Sequence, residues 1–161
     1  MLFRSKRTKI NTPDKANAVY LAGMMMPLRD DNPDYEALAV ANYVLGGGPL
    51  ASRLADRVRK KEGLSYGVGS MVQADSMDAR SMLMMFAISN PENTEKVVST
   101  IDEEVSRFTE SGVQAEELNN AISSYLETRK GGRANDGQLA GLLLKNMEAG
   151  RTMQFQAESD Q

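Results

Sequence analysis

Arg59 and Tyr66 stand seven residues apart, and their side chains suit one task in common. Arginine carries a rigid fork of N–H donors and tyrosine a single hydroxyl donor on a stiff arm. Brought near each other, the pair could bind a peptide carbonyl. Each also has an ordinary reading, Arg59 as a solvated helix charge or an ion-pair partner of Glu62, and Tyr66 as a strand aromatic. A self-sufficient hydrolase is a poor reading of the chain. It has no histidine and no cysteine, so a nucleophile would depend on a lysine or carboxylate base. Ser65, beside Tyr66, lacks the strand-turn-helix setting of a nucleophile elbow.

The stretch that must position the pair runs from Leu45 to Val68, LGGGPLASRLADRVRKKEGLSYGV. Leu50, Leu54 and Val58 recur at fourfold spacing, with Arg53, Asp56, Arg57, Arg59, Lys60 and Lys61 around the other faces, which predicts a helix. Gly63 is placed as its C-terminal cap. A strand carrying Tyr66 follows at once, so a short turn brings Arg59 and Tyr66 close. Gly46, Gly47 and Gly48 read as a sharp turn between two helices. They are no phosphate loop, since no strand precedes them and no lysine follows in the required place.

Around this centre the periodicity predicts the remaining elements. Ala16–Met26, bracketed by Pro13 and Pro27, reads as a buried strand, and Met24, Met25 and Met26 as core packing rather than a soft-metal site. Asn32-Pro33 opens a helix reaching Leu45. Residues 65–74 and 79–89 form a hairpin around Asp75-Ser76-Met77-Asp78, in one sheet with the first strand. Gly67 and Gly69 leave room for a close-lying backbone, either a bound peptide strand or a packed helix. Asn90-Pro91 starts a helix with Val97, Val98, Ile101, Val105 and Phe108 on one face, ending at Ser111-Gly112. A second carries Leu118, Ala121, Ile122, Tyr125 and Leu126 and is interrupted at Gly131-Gly132. A third carries Leu139, Leu142, Leu143 and Met147 as far as Gly150, and the tail RTMQFQAESDQ holds no further element. The order gives an α+β fold, a mainly antiparallel sheet with helices layered on one face.

Composition narrows the function classes. A chain of 161 residues is the length of one domain, and 41% hydrophobic with 25% charged residues is globular rather than disordered. A net charge of -3 argues against nucleic acid as the main partner. No apolar run reaches the roughly 18 residues of a membrane span, and MLFRSKRTKI lacks a signal-peptide core. Residues 1–12, with Arg4, Lys6, Arg7 and Lys9, read as a linker or an edge strand from a preceding domain. The compartment stays open between bacterial periplasm and cytoplasm.

The ordered string of the glycine run, Ser52-Arg53-Leu54, Arg59, and Glu62-Gly63-Leu64-Ser65-Tyr66 resembles the non-catalytic domain of the pitrilysin/insulin-degrading family of zinc metallopeptidases. Asp14-Lys15, Asp34-Tyr35-Glu36-Ala37-Leu38, and Gly112-Val113 with Glu116-Glu117-Leu118 fall in the same order, so the likeness covers roughly residues 12–150. It implies a single insulinase-like domain over residues 13–161, incomplete at its C-terminus. It also implies that Arg59 and Tyr66 hold substrate against a zinc site on a paired domain, in the same chain or another, donating to the peptide carbonyl or its developing oxyanion. That zinc site takes two histidines and a glutamate on one helix. This histidine-free chain is therefore expected to bind no metal, to hold no catalytic residue, and to be inactive alone. The same fold also serves as a non-catalytic assembly subunit in some relatives, which is the alternative.

Overall fold

A computed structural model describes residues 6–48 and 52–161 of the chain. Leu50, the first residue of the predicted helical stripe, lies outside the described residues, as does Arg4. Three strands, β1 (Ala18–Met26), β2 (Ser65–Ala74) and β3 (Ser81–Ser89), form one antiparallel sheet in the order β1-β3-β2. The predicted hairpin is therefore present, with the first strand added beside β3. Alternation along the strands puts Tyr20, Val68, Met85 and Ala87 on one face. That face meets Leu45, Leu54, Val58, Leu64, Val97 and Ile101 in the core. Removing each large aliphatic from water contributes about 1.5–3 kcal/mol, so this layer is what fixes the sheet against its helices.

β1 is not the buried strand its composition predicts. None of its nine residues is buried, and Val19, Leu21, Met24 and Met25 are 62, 64, 44 and 49% exposed. A continuous apolar run reads the same whether helices cover both faces of a strand or only one. Here β1 is an edge strand with helices against one side alone. The expected core packing of Met24 and Met25 fails for the same reason.

Helix α1 (Tyr35–Asn42) begins after a turn in which Asn32 Oδ1 accepts from the Asp34 N–H at 2.9 Å. It widens into a π-helical turn, Tyr43–Gly47. Gly46 and Gly47 thus belong to the helix rather than to a turn between helices, and only Gly48 leaves it, with ψ at 137°. The reason is contact. A Cβ on Gly46 would lie 2.5 Å from Ser70 Oγ and 2.6 Å from Ser70 N, so glycine is what lets this helix end lie against β2.

The second helical piece of the centre, Ala55–Lys61, is also π-helical and is called the basic helix below. Beyond the hairpin, Asn90 Oδ1 accepts from the Glu92 N–H and starts a 3₁₀ turn, Pro91–Asn93, that feeds α2 (Thr94–Ser111). Helix α3 (Ala115–Arg133) passes through Gly131 and Gly132, which the sequence reading made an interruption. Two such glycines cost about 1 kcal/mol each relative to alanine, and side-chain ties offset that. Lys130 reaches Glu127 at 2.8 Å, and Arg133 reaches Asp160 at 2.6 Å. The break falls instead at Asn135, whose Oδ1 accepts from the Gln138 N–H and caps α4 (Asp136–Glu148).

The tail is helical too, as α5 (Met153–Ser159), contrary to the element-free end read from sequence. Seven residues are too few to show a clear period, and tertiary contacts hold them. Arg151 stacks 4.2 Å over Phe155, while buried Asp30 accepts from Arg151 at 2.7 Å and pairs with Lys145 at 2.8 Å.

Candidate substrate-binding site

The site is built from the basic helix, the turn at its end, and the start of β2. Arg53, just ahead of the helix, anchors the region. Its guanidinium donates to Glu117 at 2.8 and 2.6 Å and to the Gly112 carbonyl at 2.8 Å, and lies 5.0 Å from the Phe108 ring centre. Along the helix, Leu54 and Val58 are fully buried. The basic helix is therefore held by its apolar side and by the paired arginine at its head.

The cations of the helix are not equivalent. Arg57 pairs with Glu62 at 2.9 Å and Glu103 at 3.3 Å, and Lys61 with Asp56 at 2.8 Å. Glu62 takes Lys96 as its second partner, at 3.3 Å, so the ion pair with Arg59 considered from sequence does not form. Arg59 is exposed and has no hydrogen bond or ion pair among the described residues.

Gly63 ends the helix with φ at 61°, and the Leu64 N–H bonds to the Val58 carbonyl at 2.9 Å. This left-handed residue is one that glycine adopts freely and other residues do not. The chain then enters β2 through a bulge. The ladder pairs Ser65 with Ser89 and then Gly67 with Ile88, so Tyr66 is the extra residue with no partner across the sheet. Buried Ser65 holds the bulge shut. Its hydroxyl lies 2.7 Å from both the Gly67 and Ile88 carbonyls and accepts from the Gly67 N–H at 3.2 Å. Tyr66 is left 69% exposed.

The structure thus puts Arg59 in the last turn of the basic helix and Tyr66 at the first positions of the next strand, both on the surface. No hydrogen bond or cation–π contact joins the two side chains among the described residues. Sequence reasoning missed Ser65 as the residue that shapes this site. A serine two positions before a glycine at a strand start was a visible but unspecific signal.

A concave region lies between α1, α3, α4 and α5, about 310 Å³ in volume and lined by Tyr35, Glu36, Tyr125 and Arg129 among others. Its charges are spent on one another. Arg129 donates to Glu36 at 3.2 Å and to Gln156 at 3.1 Å, and burial pushes the Tyr35 phenol up to about 12. It joins the helices and presents no open donor set.

The family model described as the peptidase M16 inactive domain matches residues 2–125. The chain belongs to this family. Solved structures agree in fold with the M16 inactive domain seen here. An M16 inactive domain from Pseudomonas fluorescens superposes with TM-score 0.76 at 23% identity, over 91% of this chain and 34% of that one. A protease from Helicobacter pylori gives 0.76 at 18%, over 94% and 36%. The inactive peptidase domain of a proposed zinc protease from Bordetella parapertussis gives 0.70 at 21%, over 91% and 79%. The chain spans about a third of the first two. No match was found among curated proteins.

Zinc is the metal such names imply, and the residues of this M16 domain do not fit it. Zinc sites draw on imidazole, thiolate and carboxylate ligands. The chain has neither histidine nor cysteine, and no three carboxylates converge among the described residues. Among those residues, too, no helix is long and apolar enough to cross a membrane.

Proposed function

We propose that this M16 inactive domain is the substrate-binding half of a zinc-dependent metalloendopeptidase, holding a peptide against a paired domain that bears the metal. The observation that carries the reading is Tyr66, an aromatic donor turned out of the ladder by a stapled bulge and, like the guanidinium of Arg59 at the end of the preceding helix, without a partner among the described residues. Holding an aromatic outward at a fixed point has no benefit to the sheet itself. It does benefit a ligand that needs a donor in a set place. Zinc, when bound in the paired domain, supplies Lewis acidity and an activated water. The part of this chain is to donate: the Tyr66 hydroxyl and the Arg59 N–H groups would hydrogen-bond the carbonyl oxygen of the peptide bond to be cleaved, and its negative charge as that develops.

Tyr66→Phe in the complete enzyme tests this. The ring stays and one donor goes. Loss of a single such donor lowers turnover by about 10²- to 10³-fold. Unchanged turnover would remove Tyr66 from the reaction, and with it the reason to prefer a substrate-binding half over an assembly subunit of the same fold.

A further inference from the structure

The sheet face turned away from the core carries sulfur. Counting from core-facing Tyr20, Val68 and Ala87, the residues Met25, Met71, Met82 and Met84 fall on the opposite face by strand alternation. The register sets them side by side. Met25 is opposite Met82 across β1 and β3, and Met84 is opposite Met71 across β3 and β2. Directly opposed residues have Cβ atoms about 4.5–5.5 Å apart, and Met82 and Met84, two positions apart on β3, differ by roughly 7 Å. The two remaining places in this block of six are Gly23, opposite Met84, and Gln73, opposite Met82. A Cβ on Gly23 would meet only the Leu83 carbonyl, at 3.7 Å, so open space lies beside Met84 and Met25.

We propose that Met25, Met82 and Met84 form a binding site for a soft monovalent metal ion of the copper(I) class, with Met71 flanking it on the far strand. Thioethers are neutral, polarizable ligands that select copper(I) over magnesium or calcium. Methionine's three rotatable bonds let sulfurs from neighbouring strands converge on one point. The ion has access, because Met25 and Met71 are 49 and 42% exposed and Met82 and Met84 are half-buried. The local charge also suits a cation. A recess of about 260 Å³ joins Met25, Gln73 and Met82 to Asp75 and Arg80. There Arg80 pairs with Asp75 at 2.9 Å and Asp78 at 3.8 Å, two carboxylates to one guanidinium. The site is independent of the peptidase reading, since it lies on the sheet rather than at the basic helix.

The test titrates the purified chain with silver(I), which is inert to redox, while following the methyl signals of ¹³C-labelled methionine. Copper(I) under anaerobic conditions, in competition with bicinchoninate, gives the affinity. The expected result is saturation at a single equivalent, with the largest shifts in Met25, Met82 and Met84 and none in core-packed Met85 or distant Met153. Met82→Leu/Met84→Leu conserves volume and should weaken binding by roughly tenfold or more at an unchanged melting temperature, while Met24→Leu on the other face binds as before. If the double variant loses stability, Met25→Leu takes its place in the comparison. Shifts spread evenly over exposed Met77 and Met147, or equal affinity in the leucine variants, would overturn the site.

Discussion

Arg53 grips Glu117 with two parallel hydrogen bonds, 2.8 Å from Nε and 2.6 Å from Nη2, and so ties the head of the basic helix to the first turn of α3. The pair is only 15 and 31% exposed. Arg53→Lys keeps the charge but loses the fork, the stacking on Phe108 and the bond to the Gly112 carbonyl. Urea unfolding should show a loss of about 1–3 kcal/mol. The Arg53 hydrogen bond also holds the Glu117 carboxyl below its ordinary value. Its contribution is therefore present above the unfolded value and lost as pH falls through the lower folded one. A variant whose stability matched the parent at neutral pH would show that the pair is ornamental.

Ser65→Ala removes the hydroxyl that closes the bulge. The Gly67 N–H then loses a partner, and a stability loss of about 1–2 kcal/mol is expected. In the complete enzyme the same change should lower turnover although Ser65 itself is buried in the strand. Ser65→Thr, which restores a hydroxyl, should recover part of both. Wild-type turnover in Ser65→Ala would mean that the bulge does not position Tyr66.

Arg59→Lys addresses the second donor. With no partner to lose among the described residues, the isolated domain should melt within about 0.5–1 kcal/mol of the parent. The complete enzyme should lose activity, because a lysine offers a point charge where a fork of donors was held. A large drop in melting temperature would instead reveal a structural role for Arg59.

Gly46→Ala and Gly67→Ala make a paired comparison in thermal unfolding. The first puts a methyl group 2.5–2.9 Å from Ser70 and Leu54, and the second meets nothing within 4 Å. Forcing the helix end off β2 should cost about 1–3 kcal/mol, while Gly67→Ala stays near the parent. Equal melting points would show that the contact with Ser70 relaxes freely.

Asp75 governs the hairpin turn. Bonds from the Met77 N–H first, then from Arg80 and the Asp78 N–H, hold its carboxyl down to about 2. A depressed folded value means stabilisation that is complete above the ordinary aspartate range and disappears as pH drops toward about 2. Asp75→Asn should thus be less stable than the parent at pH 7 and converge with it in strong acid. Parallel stability curves across that window would exclude the turn carboxylate as the source.

What could be read in the sequence follows from how local each signal is. The strands of the hairpin, the stripe of Val97 and Ile101, and the caps at Asn90 and Gly112 are written in neighbouring residues, and all are present. The passage of α3 through Gly131-Gly132, the helix in the tail, and the exposure of β1 depend on partners far along the chain, such as Asp160 for Arg133 and Asp30 for Arg151. At the site, the types of Arg59 and Tyr66 were legible, and so was the place of Arg59 on a solvated helix face. The bulge and its serine were not, because a register shift is a property of two strands together.

That register shift makes the candidate donor detachable. Deleting Tyr66 would bring Ser65 and Gly67 into succession against Ser89 and Ile88, which already pair in that order, so the rest of β2 would keep its faces. An ordinary strand residue has no such freedom, since a deletion there turns every later side chain over. A lineage could shed or regain this tyrosine in one step without redesigning its core, which decouples the history of the activity from the history of the fold.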